Sequence, residues 1–267
     1  MQKVILVTGV SSGFGRNIAA LLHKAGHVVY GTCRKPIENI GDFNQVIMDV
    51  TDTQSVTSAI SGILTKEGRI DVVINNAGMG IGGPVEDFSE EDALLQMNTN
   101  FMGVFRVCKA VLPSMRSRKN GLIINISSVG GLMGLPFQGF YSASKYALEG
   151  FSESLRYETK QFNIKVVLVN PGDFSTGFTA NRKPVQNMTS QSAYFSQYSK
   201  TLTIIENDEN NGMNPIVLAK KINRIVNNKN PKTRYVIASF EQKLAVWLKY
   251  ILPEKVFFPL IGGHYGL

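Results

Sequence analysis

"VILVTGVSSGFGRNIAALLHK" (4–24) places an apolar β-branched run, a glycine-rich turn and a helix-period stretch in direct succession. The run VILVT (4–8) is apolar at every inner position, as a strand covered on both faces must be. The turn TGVSSGFG (8–15) carries glycines at 9, 13 and 15. Glycine accepts positive φ and lets another backbone or a ligand approach closely. A helix starting near Gly13 would aim free N–H groups and its positive dipole end at that turn, which suits phosphate. Strand, glycine turn and helix together form the context a dinucleotide cradle needs, although the spacing is G-x-x-x-G-x-G rather than G-x-G-x-x-G.

The same rhythm continues outward. VVYGTC (28–33), QVIMD (45–49), DVVIN (71–75), LIINIS (122–127), KVVLVN (165–170) and YVIA (235–238) read as further strands. Helical patterns fall near 13–25, 53–67, 89–118, 141–162, 214–227 and 240–252. Alternating β and α predicts an α/β fold: a doubly wound, Rossmann-like parallel sheet of about seven strands, helices on both faces. Residues 1–267 are expected to form a single NAD(P)-binding domain. Segment 173–213, rich in Asn, Ser, Thr and aromatics, breaks the rhythm after a strand end. Ligands sit outside such strand ends, so this segment is expected to be a lid.

Composition narrows the partners. A chain of 267 residues with 43% hydrophobic content can bury a large core. The two cysteines, Cys33 and Cys108, lie in apolar-patterned segments, which argues against a disulfide framework or a metal site. His23 and His27, near the end of the first helix, are expected to face solvent, and His264 stands apart. The start MQKVILVTG enters a strand at once, so no secretory signal is expected and a cytoplasmic setting is. By that reading the sequons NIS (125–127) and NMT (187–189) are chance matches. The formal charge of +8 is dispersed; the dense run RSRKN (116–120) reads as a solvated helix end, and no nucleic-acid partner is expected.

Cofactor choice is read where the second strand ends. A carboxylate there binds the ribose 2′-hydroxyl of NAD and repels a 2′-phosphate. This chain has Cys33, then Arg34, with Ser12 in the glycine turn as a further donor. A guanidinium suits the phosphate, so NADP(H) is expected over NAD(H).

YSASK (141–145) spaces a tyrosine and a lysine four residues apart, on one helix face. With TGVSSGFG, NNAG (75–78), YSASK and NPG (170–172) in this order, the chain resembles the short-chain dehydrogenase/reductase family over about residues 3–240. SSVGGLMGLPFQGFYSASKYALEGFSESL is most similar to its hydroxysteroid and retinol branch. The resemblance implies Asn100, Ser128, Tyr141 and Lys145 as catalytic, with Asn98 a bystander. It implies cofactor contacts at Thr8, Gly9, Ser11, Ser12, Gly13, Phe14, Gly15, Arg34, Asp49, Val50, Asn76, Ala77, Gly78, Tyr141, Lys145, Pro171, Gly172 and Thr176. Homo-oligomers are common in the family and are implied likewise.

In that scheme Tyr141 protonates a carbonyl oxygen, and a nearby Lys145 ammonium favours its tyrosinate. Ser128 orients the substrate, and Asn100 holds a relay water. The expected activity interconverts a ketone or aldehyde and an alcohol on a bulky apolar substrate that is steroid-, retinoid- or lipid-like. A long-chain keto-lipid precursor reductase is the alternative, and an idle NADP-binding regulator is the alternative of another class. Met133, Leu135, Phe137, Phe178, Tyr194, Phe195 and Tyr198 are candidates for an apolar pocket or for core. In the tail 240–267, Phe240, Leu244, Trp247, Leu248, Ile251 and Leu252 recur at helical spacing, with Lys243 and Lys249 between. Pro253 and Pro259 interrupt it, which argues against a span and leaves packing on the domain, a subunit contact or a lipid surface.

Overall fold

The computed structural model describes residues 1–185 and 188–267. Among these, nine strands follow in chain order: β1 (Val4–Thr8), β2 (Val28–Cys33), β3 (Asn44–Ile47), β4 (Val72–Asn75), β5 (Ile81–Gly82), β6 (Gly121–Ile126), β7 (Ile164–Pro171), β8 (Lys183–Pro184) and β9 (Arg234–Ile237). Seven of them make one parallel sheet in the order β3-β2-β1-β4-β6-β7-β9, so every anticipated strand is present. The short β5 and β8 pair with each other beside it.

The helices are α1 (Gly13–Lys24), α2 (Thr53–Glu67), α3 (Glu90–Met97), α4 (Gly103–Ser117), α5 (Gly139–Thr159), α6 (Phe195–Asn210), α7 (Pro215–Asn227), α8 (Phe240–Ile251) and α9 (Glu254–His264). Local chemistry sets their ends. The side chains of Asp52, Ser89, Asn214 and Ser239 accept from the first-turn N–H groups of α2, α3, α7 and α8. Gly68 closes α2 in the left-handed conformation at φ 71.

Alternation along the strands divides the core. Ile5, Val7, Val29, Ile74 and Val167 face one side, against Ile18 and Leu22 of α1 and Leu218, Ile222 and Ile225 of α7. Leu6, Val73, Ile123 and Val166 face the other, against Val56 and Ile60 of α2, Val107 and Val111 of α4 and Leu148 of α5. Each such side chain, fully buried, contributes about 1.5–3 kcal/mol. Because these strands all run parallel, the C-terminal ends of β1, β2, β4, β6 and β7 share one rim.

Several expectations need correction. The helix expected over 89–118 is α3 and α4 joined by a π-helical turn, Asn98–Met102. Segment 173–213 contains the sixteen-residue helix α6. Pro253 does break the tail, but Pro259 lies inside α9. His27 is buried rather than solvent-facing: the Lys3 N–H donates to its Nδ1 at 3.3 Å, and burial lowers its pKa. Arg118, from the basic run, donates to Asp71 at 3.0 Å and to the Ile70 carbonyl at 2.6 Å, so that run is not simply solvated. In the sequons, Asn125 is fully buried in β6 and Asn187 lies outside the described residues.

Candidate active site

Thr8 ends β1 with its hydroxyl accepting the N–H groups of Asn76 and Ala77, each at 2.9 Å. Asn76 Nδ2 in turn donates to the carbonyls of Thr8 and Gly9, both at 2.9 Å. The glycine turn is thereby tied to the turn after β4. Gly9 has φ 71, and a Cβ there would lie 2.8 Å from Ala77 Cα. A Cβ on Gly15 would come within 2.1 Å of the Gly9 carbonyl oxygen. No side chain caps the start of α1, so its first N–H groups remain open toward the turn. This is the donor arrangement a pyrophosphate needs, and the residues present fit a dinucleotide.

These elements form one wall of a cleft of about 1090 Å³. Gly9, Ser11, Ser12, Gly13, Phe14, Arg34, Asp49, Val50, Asn76, Ala77 and Gly78 line its nucleotide end, and Ser128, Tyr141, Lys145, Pro171, Gly172 and Thr176 line the other. Thr8, Gly15 and Asn100 are absent from that lining. Thr8 and Gly15 are buried under the turn, and Asn100 has no exposed surface. Arg34 is exposed at the mouth, immediately after the buried Cys33.

Tyr141, Lys145 and Ser128 come together because β6 delivers Ser128 to the rim and α5 runs back beside it. Lys145 is buried, with its Nζ donating to the Ile126 carbonyl at 3.0 Å and lying 5.8 Å from the Tyr141 ring centroid. Burial lowers the lysine to about 8, against an upward pull from Glu149. The Ser128 hydroxyl accepts the Gly130 N–H at 3.0 Å. Burial pushes Tyr141 up to about 12 and Glu209 adds to this, while a hydrogen bond with Ser128 and the Arg182 charge pull it down. In the chain alone, burial therefore holds this tyrosine above its ordinary value. Desolvation is the largest of these influences.

Asn100 sits in the π-helical turn. Both its amide donors are used: Oδ1 accepts from Met79 N at 2.9 Å, and Nδ2 donates to the Met79 carbonyl and to Ser144 Oγ at 3.0 and 3.1 Å. Asn98, the expected bystander, accepts from Arg106 at 2.7 Å.

A family profile described as short chain dehydrogenase matches residues 3–187. The chain belongs to the short-chain dehydrogenase/reductase family. A 3-ketodihydrosphingosine reductase of Bacteroides thetaiotaomicron is 51% identical to it over 255 residues, covering 95% of this chain and 94% of the relative. Among solved structures, a short-chain dehydrogenase from Streptomyces avermitilis matches with TM-score 0.82 and 31% identity, over 94% of this chain and 93% of that one. A variant of actinorhodin polyketide ketoreductase, solved with NADPH, matches with TM-score 0.73 and 26% identity, over 88% and 95% of the two chains. As a short-chain dehydrogenase/reductase, the chain is an oxidoreductase acting on carbonyl and alcohol groups, and its structural neighbours bind NAD or NADP.

Of the anticipated pocket residues, Met133, Leu135 and Phe178 line the cleft. Tyr198 instead donates to the Gly82 carbonyl at 3.0 Å and packs edge-on against Phe137, while Tyr194 and Phe195 are exposed. The sequence reading missed Ala245, Leu260, Ile261 and Tyr265, supplied by the two C-terminal helices and the turn after them. It also missed an acidic wall near Tyr141 made by Asp173, Asp208 and Glu209. Glu209 pairs with Arg182 and accepts from Thr179 at 2.5 Å; Asp208 lies 2.9 Å from His264; Asp173 accepts from Gln242 at 2.6 Å. Burial, then Glu209 and Asp208, push Asp173 up to about 6.

Proposed function

We propose that this short-chain dehydrogenase/reductase uses NADPH to reduce a ketone on a long, apolar, lipid-like molecule. The observation that carries the proposal is the single cleft with Arg34 at one end, Ser128, Tyr141 and Lys145 at the other, and an apolar wall beyond them. When bound, NADPH supplies the hydride, and its oxidised form a positive charge beside the tyrosine. Tyr141 delivers the proton to the carbonyl oxygen, and Ser128 donates to that oxygen and orients it. Lys145 holds positive charge next to the tyrosine hydroxyl. With both Asn100 amide donors and one Oδ1 bond tied to Met79 and Ser144, its part in a proton relay falls chiefly to the main chain of the π-helical turn, a feature frequent at functional sites.

The lipid reading is supported by the 51%-identical relative, which matches this chain over nearly its full length. Within the cleft, Met133, Leu135, Ala245, Leu260 and Ile261 suit an alkyl chain, and 173–213 serves as the lid above them. The acidic wall favours a substrate bearing an amino group near its keto carbon over a neutral one. NADPH oxidation across a panel of short ketones, steroid ketones and long-chain ketones, the last with and without an adjacent amine, tests this. Each buried methylene contributes about 0.8 kcal/mol, so a chain of sixteen carbons should exceed one of eight by at least about a hundredfold in kcat/KM. A best substrate with a steroid ring, or no oxidation with any ketone, would overturn the proposal.

The C-terminal helices also fit a lipid surface. They pack on the domain through Val246 and Phe257, against Val129, Leu132 and Met133. Phe240, Leu244, Trp247 and Ile251 nevertheless remain exposed along one stripe of α8, and Val256, Phe258 and Leu260 are exposed on α9. Among the described residues no helix is long and apolar enough to cross a membrane. The fit is to a peripheral contact, with the net charge of +8 favouring anionic lipid. The expected result is co-sedimentation with anionic vesicles, weakened about tenfold or more in Trp247→Glu/Phe258→Glu, while reduction of a soluble short ketone persists. A wild-type chain that stays in the supernatant would refute the contact.

A further inference from the structure

Glu149 follows Tyr141 and Lys145 at the same four-residue interval on α5, so all three share one helix face. It is buried, although a carboxylate loses several kcal/mol of hydration unless its partners replace the water. The replacements are specific. Asn170 at the end of β7, itself without exposed surface, donates from Nδ2 to Glu149 Oε1 at 2.7 Å. The same nitrogen donates to the main-chain carbonyl of Ser128 at 3.0 Å. Arg234 of β9 pairs with Glu149 Oε2 and also reaches Asn170 Oδ1 at 3.3 Å and Glu153 at 3.2 Å. Lys145 donates to Ile126, two residues before Ser128 on the same strand end.

One carboxylate therefore lies under both groups at the reacting end of the cleft. An apolar side chain would staple α5 to the sheet without the cost of burying an ion, so the charge calls for a reason beyond packing. Lys145 supplies one: burial strips its ammonium of water, and the charged or titratable groups facing it are Tyr141 and Glu149. Glu149 in turn faces Lys145, Arg234 and, one turn away on α5, Tyr146 and Glu153, the latter sharing Arg234.

We propose that Glu149 is a positioning residue for the reaction, holding the Ser128 main chain through Asn170 and keeping the Lys145 ammonium charged. Arg234 sets how much of the carboxylate's charge reaches the lysine. The catalytic consequence rests on the roles given above to Ser128 and Lys145, whereas the charge coupling does not.

The test reads the coupling directly, in protein without substrate. Lysine labelled with 13C at Cε is titrated by NMR, and the Lys145 resonance is assigned by its loss in Lys145→Arg. The wild-type midpoint should lie near 8. Glu149→Gln keeps an acceptor for Asn170 but removes the charge, and should lower the midpoint by about one unit, tenfold in proton affinity. Arg234→Gln frees the carboxylate's charge and should raise it by roughly half a unit. The alkaline limb of kcat should move in the same two directions. A purely structural role predicts no such opposition. Midpoints within 0.2 unit (about the scatter of such a titration) in both variants, each folded by its melting curve, would overturn the proposal. Opposite shifts in a protein that reduces no ketone would instead leave the coupling standing and remove the catalytic reading.

Discussion

Tyr141→Phe should lower ketone turnover by about a thousandfold, the middle of the range for losing a positioned proton donor. NADPH affinity should stay within about a factor of two, because the ring and its contact with Phe178 at 5.7 Å are retained. Stopped-flow reduction and NADPH fluorescence titration measure the two quantities separately. Turnover near the wild-type value would remove Tyr141 from the mechanism. The pH dependence carries a sign. Tyr141 at about 12 stays protonated through the neutral range, so it does not limit the reduction there. Lys145, lowered to about 8, loses its charge as pH rises through that value, and reduction should decline above it. Alcohol oxidation needs the tyrosinate and should instead rise with pH. A reduction rate that climbs between pH 7 and pH 9, spanning the Lys145 value of about 8, would contradict the assigned roles.

Arg34→Asp is expected to reverse cofactor preference. Losing a charge-assisted contact to the 2′-phosphate costs about 1.5–3 kcal/mol, and the new carboxylate adds repulsion, so the NADPH-to-NADH ratio of kcat/KM should fall by about 10²–10³. Arg34 is exposed, so the melting temperature should hardly move. An unchanged ratio with intact stability would place phosphate recognition elsewhere on the nucleotide wall.

The sheet was legible because a parallel strand buried on both faces is nearly continuous in apolar residues, and VILVT, VVIN and LIINI are, apart from Thr8, Asn75 and Asn125. The glycine turn was legible because Gly9 and Gly15 have no room for a Cβ. Other features depend on what the chain folds against. Asp173, Arg182 and Glu209 are polar residues in a polar segment, and only tertiary folding brings them beside Tyr141. The π-helical turn forms where Asn100 is drawn to the Met79 main chain, a contact that leaves no mark in the helical period. His27 was misread because it lies past Gly26, at the foot of β2, where the Lys3 main chain covers it. The tail's apolar spacing was visible, but not that α8 and α9 would wall the cleft.

That wall sets an order of assembly. The nucleotide half of the cleft is drawn from residues 9–78, whereas Leu260, Ile261 and Tyr265 supply part of the substrate half. Tyr265 is held from its carbonyl by Thr201 Oγ1 at 3.0 Å, and Leu267 N–H returns to Gly262 at 2.9 Å. During synthesis the residues of the nucleotide wall thus emerge well before those of the far wall, but α1 behind the glycine turn packs only once Leu218, Ile222 and Ile225 of α7 have followed. Both ends of the cleft therefore wait on the last third of the chain.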